Sequence, residues 1–439
     1  MNREEILQKI KEAGVVGAGG AGFPSHIKLN CKADVVIANG AECEPLLRTD
    51  RLIMENDAPK VIEGLKASMI AAGALRGVIA LKKKYTKAVE ALQAAIGGSG
   101  IEFLLMESFY PAGDEQQIVY LATGQVVPTG GLPLDVGAVV QNVATLADIA
   151  NALEGTPVTH KYVTVNGEVA KPAVFKVPVG TPVRKLIEAA GGPGDLSGYS
   201  VVIGGPAMGR ITDDPDEPVT KTTGGILVFP KDHPLVQKKT GSMQSDLRLA
   251  KSVCCQCNFC TQLCPRNALG LKVEPHKVMR AVALNAPGFG DANGIFSCCD
   301  CGICTLYACN FGLAPSRMMQ RVKQELMKEG VKPVKKVAYP VSDNLNDIKV
   351  PVKRLLARLD IQKYDRDLPL AEELRLQNVH LPLKMHIGAP AKPIVATGET
   401  VAAGQMIAEV REGVGANIHA SIAGSVRVLD NEIVIEGNT

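Results

Sequence analysis

The residues richest in chemistry are cysteines: of 12 in a chain of 439 residues, 10 lie between Cys254 and Cys309. They form two runs, Cys254-x2-Cys257-x2-Cys260-x3-Cys264-Pro265 and Cys298-x2-Cys301-x2-Cys304-x4-Cys309. Three thiolates at intervals of three wrap one face of an iron–sulfur cube. Where two such triplets share a chain, the outlying cysteine of each run ligates the other cluster. Cys254, Cys257, Cys260 and Cys309 are therefore expected around one [4Fe–4S] cluster, and Cys298, Cys301, Cys304 and Cys264 around a second. The second run departs from the usual pattern in its longer last spacer and in Asn310, where proline is customary. Structural zinc favours paired Cys-x2-Cys knuckles, and a disulfide framework spreads its cysteines through a small secreted chain. Neither pattern is present. Cys255 and Cys299 each adjoin a ligand and are expected as neighbouring thiols, while Cys31 and Cys43 are too isolated for a cluster. Two cubes in one domain make a one-electron relay.

A second feature lies near the start. Gly17-Ala18-Gly19-Gly20-Ala21-Gly22-Phe23-Pro24 can expose successive backbone N–H groups to a phosphate, as anion-binding nests do. A helical segment rather than a strand precedes it, so the ordinary dinucleotide fingerprint is not met. The turn Asn39-Gly40-Ala41-Glu42-Cys43-Glu44-Pro45 brings two carboxylates close in sequence, and Asn142 and Thr145 can cap the helix that begins near them.

Composition narrows the alternatives. Charge is nearly balanced, 48 basic against 45 acidic residues, and the chain has no Trp and 4% aromatics. That argues against nucleic acid as a partner. No apolar run approaches the ~18 residues of a membrane span. The polar start Met1-Asn2-Arg3-Glu4-Glu5-Ile6 does not read as a signal peptide, so a cytoplasmic location is expected.

The elements that must position these residues follow from periodicity. The first ten residues pattern as an amphipathic helix, with Asn2 as cap and Glu5 reaching back to it. Asp34–Ala38 and Gly77–Leu81 are expected as buried strands, with a helix over Asp57–Ala72 between them; the alternation gives residues 1–155 an α/β fold with a mostly parallel sheet. Residues 156–240 read as a small α+β module with a hairpin after Tyr162–Gly167 and a helix over Pro182–Ala190. The cysteines occupy 241–330. A proline-punctuated linker with a helix over Val352–Leu359 fills 331–380, and 381–439 reads as a compact all-β module.

The glycine-rich segment with Lys28, the Asn39–Pro45 turn, Tyr110-Pro111-Ala112-Gly113-Asp114-Glu115 and Gln141-Asn142-Val143-Ala144-Thr145-Leu146 occur in the order found in a known family. They resemble the flavin- and NADH-binding subunit of respiratory complex I and, more closely, the C subunit of the Rnf complex and its soluble relatives. The resemblance implies that Gly17, Gly19, Gly20 and Gly22 line the FMN and NADH phosphates and that Phe23 stacks near the nicotinamide nucleotide. It implies Lys28 near the flavin, Asn39 and Asn142 on its ring or ribityl chain, and Thr145 on its phosphate. Glu42 and Glu44 match the acidic pair beside the isoalloxazine and nicotinamide, and Asp114 and Glu115 fall in the same motif set. Ala18 and Ala41 depart from that complex I subunit, which carries arginine and aspartate there. Residues 160–240, with Gly204–Gly209, resemble the β-grasp module that follows the flavin domain in this family, and the cysteine region its two-cluster ferredoxin-like domain.

The tail resembles the barrel-sandwich hybrid fold of biotinyl and lipoyl carriers. Its expected hairpin tip, Gly415-Ala416-Asn417-Ile418-His419, offers no lysine to modify, so a packing or docking role is expected, with His386 and His419 structural. A sandwich module at the carboxyl end resembles the order in cobalamin reductases of propanediol-utilisation microcompartments and in the electron-transfer protein of proline reductase. The implied activity is transfer of electrons from NADH through FMN and two [4Fe–4S] clusters. The leading acceptor is a corrinoid, cob(III)alamin, and the alternative a partner redox protein or membrane complex. A bacterial microcompartment is the alternative location within the cytoplasm.

Overall fold

A computed structural model describes residues 1–285, 292–372, 374 and 376–437. The first module is built on four parallel strands, ordered Glu102–Met106, Arg76–Lys82, Val35–Gly40 and Ala138–Asn142 across the sheet. The three strands other than the edge strand Glu102–Met106 are almost wholly buried because helices cover both faces. Ala58–Ala72, Val143–Leu153 and Arg3–Glu12 pack on one face. Glu115–Thr123 packs on the other. The Arg3–Glu12 helix starts with the expected box: Asn2 Oδ1 accepts from Glu5 N–H at 2.9 Å, and Glu5 Oε2 accepts from Asn2 N–H at 2.9 Å.

The sheet grows outward from Val35–Gly40 to one side and then adds Ala138–Asn142 on the other. A crevice opens beyond the carboxyl ends of strands at such a reversal, where α/β sheets hold ligands. Asn39 and Asn142 are register partners at that edge.

The second module is a five-stranded mixed sheet, ordered Ala173–Pro178, His160–Gly167, Gly225–Pro230, Tyr199–Ile203 and Arg210–Thr212, with the Val183–Ala189 helix packed on it. Helices Met243–Val253, Pro275–Leu284 and Pro315–Lys328 frame the cysteine region.

The segment expected as a linker is a strap. Tyr339 and Ser342 N–H donate to Gly270 and Ala268 carbonyls, both at 2.8 Å. Val350–Pro351 pairs antiparallel with Phe109–Tyr110, and Ala371 N–H reaches Val174 O at 2.8 Å. Its Val352–Leu359 helix, as expected, buries Leu355, Leu356 and Leu359 in the same core as Cys301 and Cys304. Each such leucine contributes roughly 1.5–3 kcal/mol of burial, which fixes the strap to the cysteine loops.

The last module is two facing sheets, Asn378–Pro382 with Glu432–Gly437, Gly424–Val428 and Thr400–Val401, against Lys392–Pro393, Met406–Glu409 and Ile418–His419. Its hairpin tip points inward. Asn417 O accepts from the buried Lys221 Nζ at 2.7 Å, and the same ammonium reaches Gly14 O at 2.7 Å. Ile387 N–H donates to Gly22 O at 3.0 Å, so this module braces the glycine-rich segment. The tip is packed against its own chain.

Candidate flavin and iron–sulfur sites

The glycine-rich segment folds into a tight loop. Gly17 N–H donates to Phe23 O at 2.9 Å and Gly22 N–H to Gly17 O at 3.1 Å, while the Gly19–Ala21 tip stays exposed. Gly20 sits at φ +110° and Gly22 at +68°, backbone that favours glycine. A Cβ at Gly20 would meet nothing, but one at Gly22 would touch Thr222 at 3.0 Å. Ala18 N–H is held by Thr145 Oγ1 at 2.9 Å, which leaves the hydroxyl hydrogen of Thr145 free to donate. Asn142 caps the Val143–Leu153 helix through Ala144 N–H and donates to Asp50 Oδ2 at 2.8 Å. Asn39 Nδ2 donates to Gly113 O at 3.0 Å. The loop, Asn39, Asn142 and Thr145 thus meet at the crevice.

The two carboxylates of the Asn39–Pro45 turn part company. Glu42 is buried at φ +38°, a backbone strain for a residue with a Cβ. Its Oε1 accepts from Asp50 N–H at 2.8 Å and Thr49 Oγ1 at 3.3 Å, and the buried Lys82 ammonium holds its carbonyl at 2.9 Å. Its Oε2 is buried without a partner among the described residues. Burial, reinforced by the Asp50 carboxylate, pushes Glu42 up to about 7. Glu44 instead accepts from Ala207 N–H at 2.8 Å and Met208 N–H at 3.2 Å in the second module, and lies 2.9 Å from Tyr110 Oη. Tyr110 Oη is also 2.8 Å from Cys301 O. A Cβ on Gly205 would sit 2.0 Å from Glu44 Oε2, so glycine there makes room for the contact.

Three further expected residues are tied to protein partners. Asp114 caps the Glu115–Thr123 helix and forms a bidentate pair with Arg266, at 2.7 and 2.5 Å, both residues 8% exposed. Lys28 pairs with Glu115 at 2.9 Å. Phe23 is half-buried beside the loop.

The cysteines gather in two sets. Cys254, Cys257, Cys260 and Cys309 line one cavity of about 20 Å³, with Cys255 at its edge. Cys264 lies within electrostatic reach of Cys298, Cys301 and Cys304. The outlying cysteine of each run therefore stands with the triplet of the other. Cys304 also feels Cys260, which puts the sets side by side. Burial pushes Cys260 and Cys264 up to about 12, so a thiolate in either position calls for a nearby positive charge such as iron. Among the described residues no three His, Cys, Asp or Glu side chains converge on a point that would hold one metal ion; thiolates spread around a four-iron cube stand further apart than those on a single ion. All twelve cysteines are free thiols.

The sequence places Tyr110 within a motif but gives it no role, and it does not mark Arg266, Asp50 or Lys82. Arg266 follows Cys264-Pro265 directly, a placement that could have singled it out. The others become partners only through contacts distant in sequence.

Each module now has a counterpart. Residues 10–151 match the Nuo51 FMN-binding domain, 162–211 the SLBB domain, 253–314 a 4Fe–4S dicluster domain and 359–439 the RnfC barrel-sandwich hybrid domain. The chain is an RnfC-like flavin and iron–sulfur oxidoreductase. It is 40% identical over 438 residues to cobalamin reductase PduS of Salmonella typhimurium, covering 99% of this chain and 96% of that one. Identity to the Citrobacter freundii cobalamin reductase PduS is 39% over 435 residues, covering 98% and 96%. The C subunit of the Na⁺-translocating ferredoxin:NAD⁺ oxidoreductase complex of Acetobacterium woodii is 37% identical over 283 residues, 63% of this chain and 61% of that one. The chain belongs to the family that these cobalamin reductases represent. Among the described residues no helix is long and apolar enough to cross a membrane.

Proposed function

We propose that this protein oxidises NADH and delivers single electrons to a corrinoid, so that one NADH and two cob(III)alamin give NAD⁺, a proton and two cob(II)alamin. The observation that carries this reading is likeness over nearly the whole chain, module for module, to two cobalamin reductases. FMN supplies the conversion between a hydride and single electrons, and two [4Fe–4S] clusters carry the single electrons onward.

The residues divide the remaining tasks. The exposed N–H groups at Gly19 and Gly20, with the free hydrogen of Thr145, suit a phosphate, and Gly17 and Gly22 shape the loop that presents them. Asn39 and Asn142 flank the crevice from adjacent strands. Phe23 offers an apolar face at its rim, and the Lys28–Glu115 pair lends charge at its mouth. Glu42 Oε2, buried and without a partner among the described residues, could hold or release a proton at near-neutral pH for a flavin bound in the crevice. Glu44 and Asp114, tied to neighbouring modules, are read as positioning residues.

Cys264, Cys298, Cys301 and Cys304 are assigned to an inner cluster, since Tyr110 links Cys301 to the crevice side. Cys254, Cys257, Cys260 and Cys309 are assigned to an outer one, near the surface where Cys255 and Cys257 are exposed. Electrons would then leave from the outer set.

Stopped-flow mixing of the anaerobic holoprotein with NADH and cob(III)alamin tests the acceptor. Reduction well above that of free FMN at equal concentration is expected; no excess removes the corrinoid. The partial likeness to an Rnf-type C subunit supports a second reading, in which a partner redox protein takes the electrons. NADH would then reduce flavin and clusters normally while cob(III)alamin stayed oxidised.

A further inference from the structure

Proton counting around Tyr110 leads beyond this reading. The phenol is 1% exposed, and its single hydroxyl hydrogen faces two oxygens, Cys301 O at 2.8 Å and Glu44 Oε1 at 2.9 Å. The Cys301 carbonyl can only accept. Once the phenol donates to it, the remaining contact needs a hydrogen from Glu44. Among the described residues no other donor serves that contact: Ala207 N–H lies on Glu44 Oε2, and Met208 N–H reaches Oε1 only at 3.2 Å. Lys239, the cation that acts on Glu44, gives two of its three hydrogens to Ala207 O at 3.0 Å and Gly209 O at 2.6 Å.

We propose that Glu44 is protonated on Oε1 and heads a directed chain, Glu44 O–H to Tyr110 Oη and Tyr110 O–H to Cys301 O, that positions the inner cluster loop against the flavin crevice. The chain joins three modules through one buried phenol. Burial pushes the Glu44 carboxyl up, outweighing the opposing pull of its hydrogen bonds and of Lys239, and the backbone amides of Ala207 and Met208 fix its orientation. Tyr110 and Glu44 are positioning residues here. The consequence for electron transfer rests on the reading of Cys301 as a cluster ligand; the proton on Glu44 is a property of the protein alone.

Two measurements separate these. Infrared spectra of the purified protein are expected to contain a protonated-carboxyl C=O band that vanishes in Glu44→Gln and shifts in Tyr110→Phe. No difference between wild type and Glu44→Gln in that region overturns the proposal. Anaerobic stopped flow then follows flavin and cluster absorbance separately, with iron and flavin contents measured on each variant. In Tyr110→Phe, electron passage from flavin to clusters is expected to slow about tenfold, the scale of one lost buried hydrogen bond. Glu44→Gln, whose amide can still donate to the phenol and accept from Ala207, is expected to keep most of the rate that Glu44→Ala loses. Equal damage from Gln and Ala means the negative charge is what matters, and sinks the proposal. Wild-type clusters that NADH never reduces, alongside an intact infrared difference, would instead fault the relay while leaving the protonated chain standing.

Discussion

The two sets of cysteines share one small module, yet they are held by different means. The inner set sits where modules meet. Cys264 is followed by Arg266, locked onto Asp114 of the first module; Cys301 is tied to Tyr110; and the strap helix Val352–Leu359 packs against Cys301 and Cys304. The outer set has fewer ties to other modules: Cys260 shares the core of Cys301 and Cys304, but Cys254 and Cys309 pack against helices of their own module, around a turn in which Gln256 and Asn258 adopt φ +60° and +65°. Cys257 there is exposed, and Arg358 reaches Cys309 O at 3.2 Å from the surface. A relay needs a fixed distance at one end and access at the other, and more of the contacts between modules fall on the first.

Arg266 is the inner set's firmest tie to the first module. Arg266→Met leaves Asp114 buried without its partner, a loss expected to cost roughly 3–5 kcal/mol. Thermal unfolding should show that loss, and iron content should fall toward a single cluster, with the outer set retained. Equal loss from both sets would mean that the junction does not support the inner set selectively.

A smaller change attacks the same junction from the second module. Gly205→Ala places a Cβ against Glu44, and overpacking of this kind costs about 1–3 kcal/mol. Passage of electrons from flavin to clusters should slow while NADH still reduces the flavin. A wild-type rate would show that Glu44 can move aside without effect.

Glu42 sharpens the contrast through pH. Its carboxyl is raised from 4.5 to about 7 in the fold, so the unfolded chain ionises first. Stability of the flavin-free protein must then decline as pH rises from about 4.5 to 7, with the full penalty above 7. Glu42→Gln removes the penalty and should stabilise at pH 8 by on the order of 2–3 kcal/mol, with little effect at pH 4. Urea unfolding of flavin-free protein at both pH values checks the sign; a variant less stable at pH 8 would refute it.

Local features were legible in the sequence where local contacts decide them. The Asn2–Glu5 box, the Val352–Leu359 helix and the alternating strands follow from residues within a turn or two. Grouping Cys264 and Cys309 each with the other run's triplet was also within reach, because the fold that crosses them is written in the spacing. What could not be read was where carboxylates find partners. Glu44 meets Ala207 across 163 residues and Asp114 meets Arg266 across 152. Nothing near Glu44 marks it as facing another module while Glu42, two positions earlier, bonds within the first. The strap reads as a linker for the same reason: its contacts run to several separate segments, each remote in sequence.

The mildest test is the surface counterpart of Arg266. Arg358 donates to Cys309 O and Asn310 Oδ1, both at 3.2 Å, from an exposed position. Contacts of that kind contribute about 0–1 kcal/mol, since solvent competes for both partners. Arg358→Met should therefore leave the unfolding midpoint nearly unchanged and both clusters in place. Its effect belongs to the outer set alone: removing a cation beside Cys309 makes that cluster harder to reduce, by a few tens of millivolts or less, while the inner one keeps its potential. Redox titration followed by EPR separates the two. If the inner cluster shifted as much as the outer, the two sets would share one electrostatic environment, and the division between a fixed end and an open end would lose its basis.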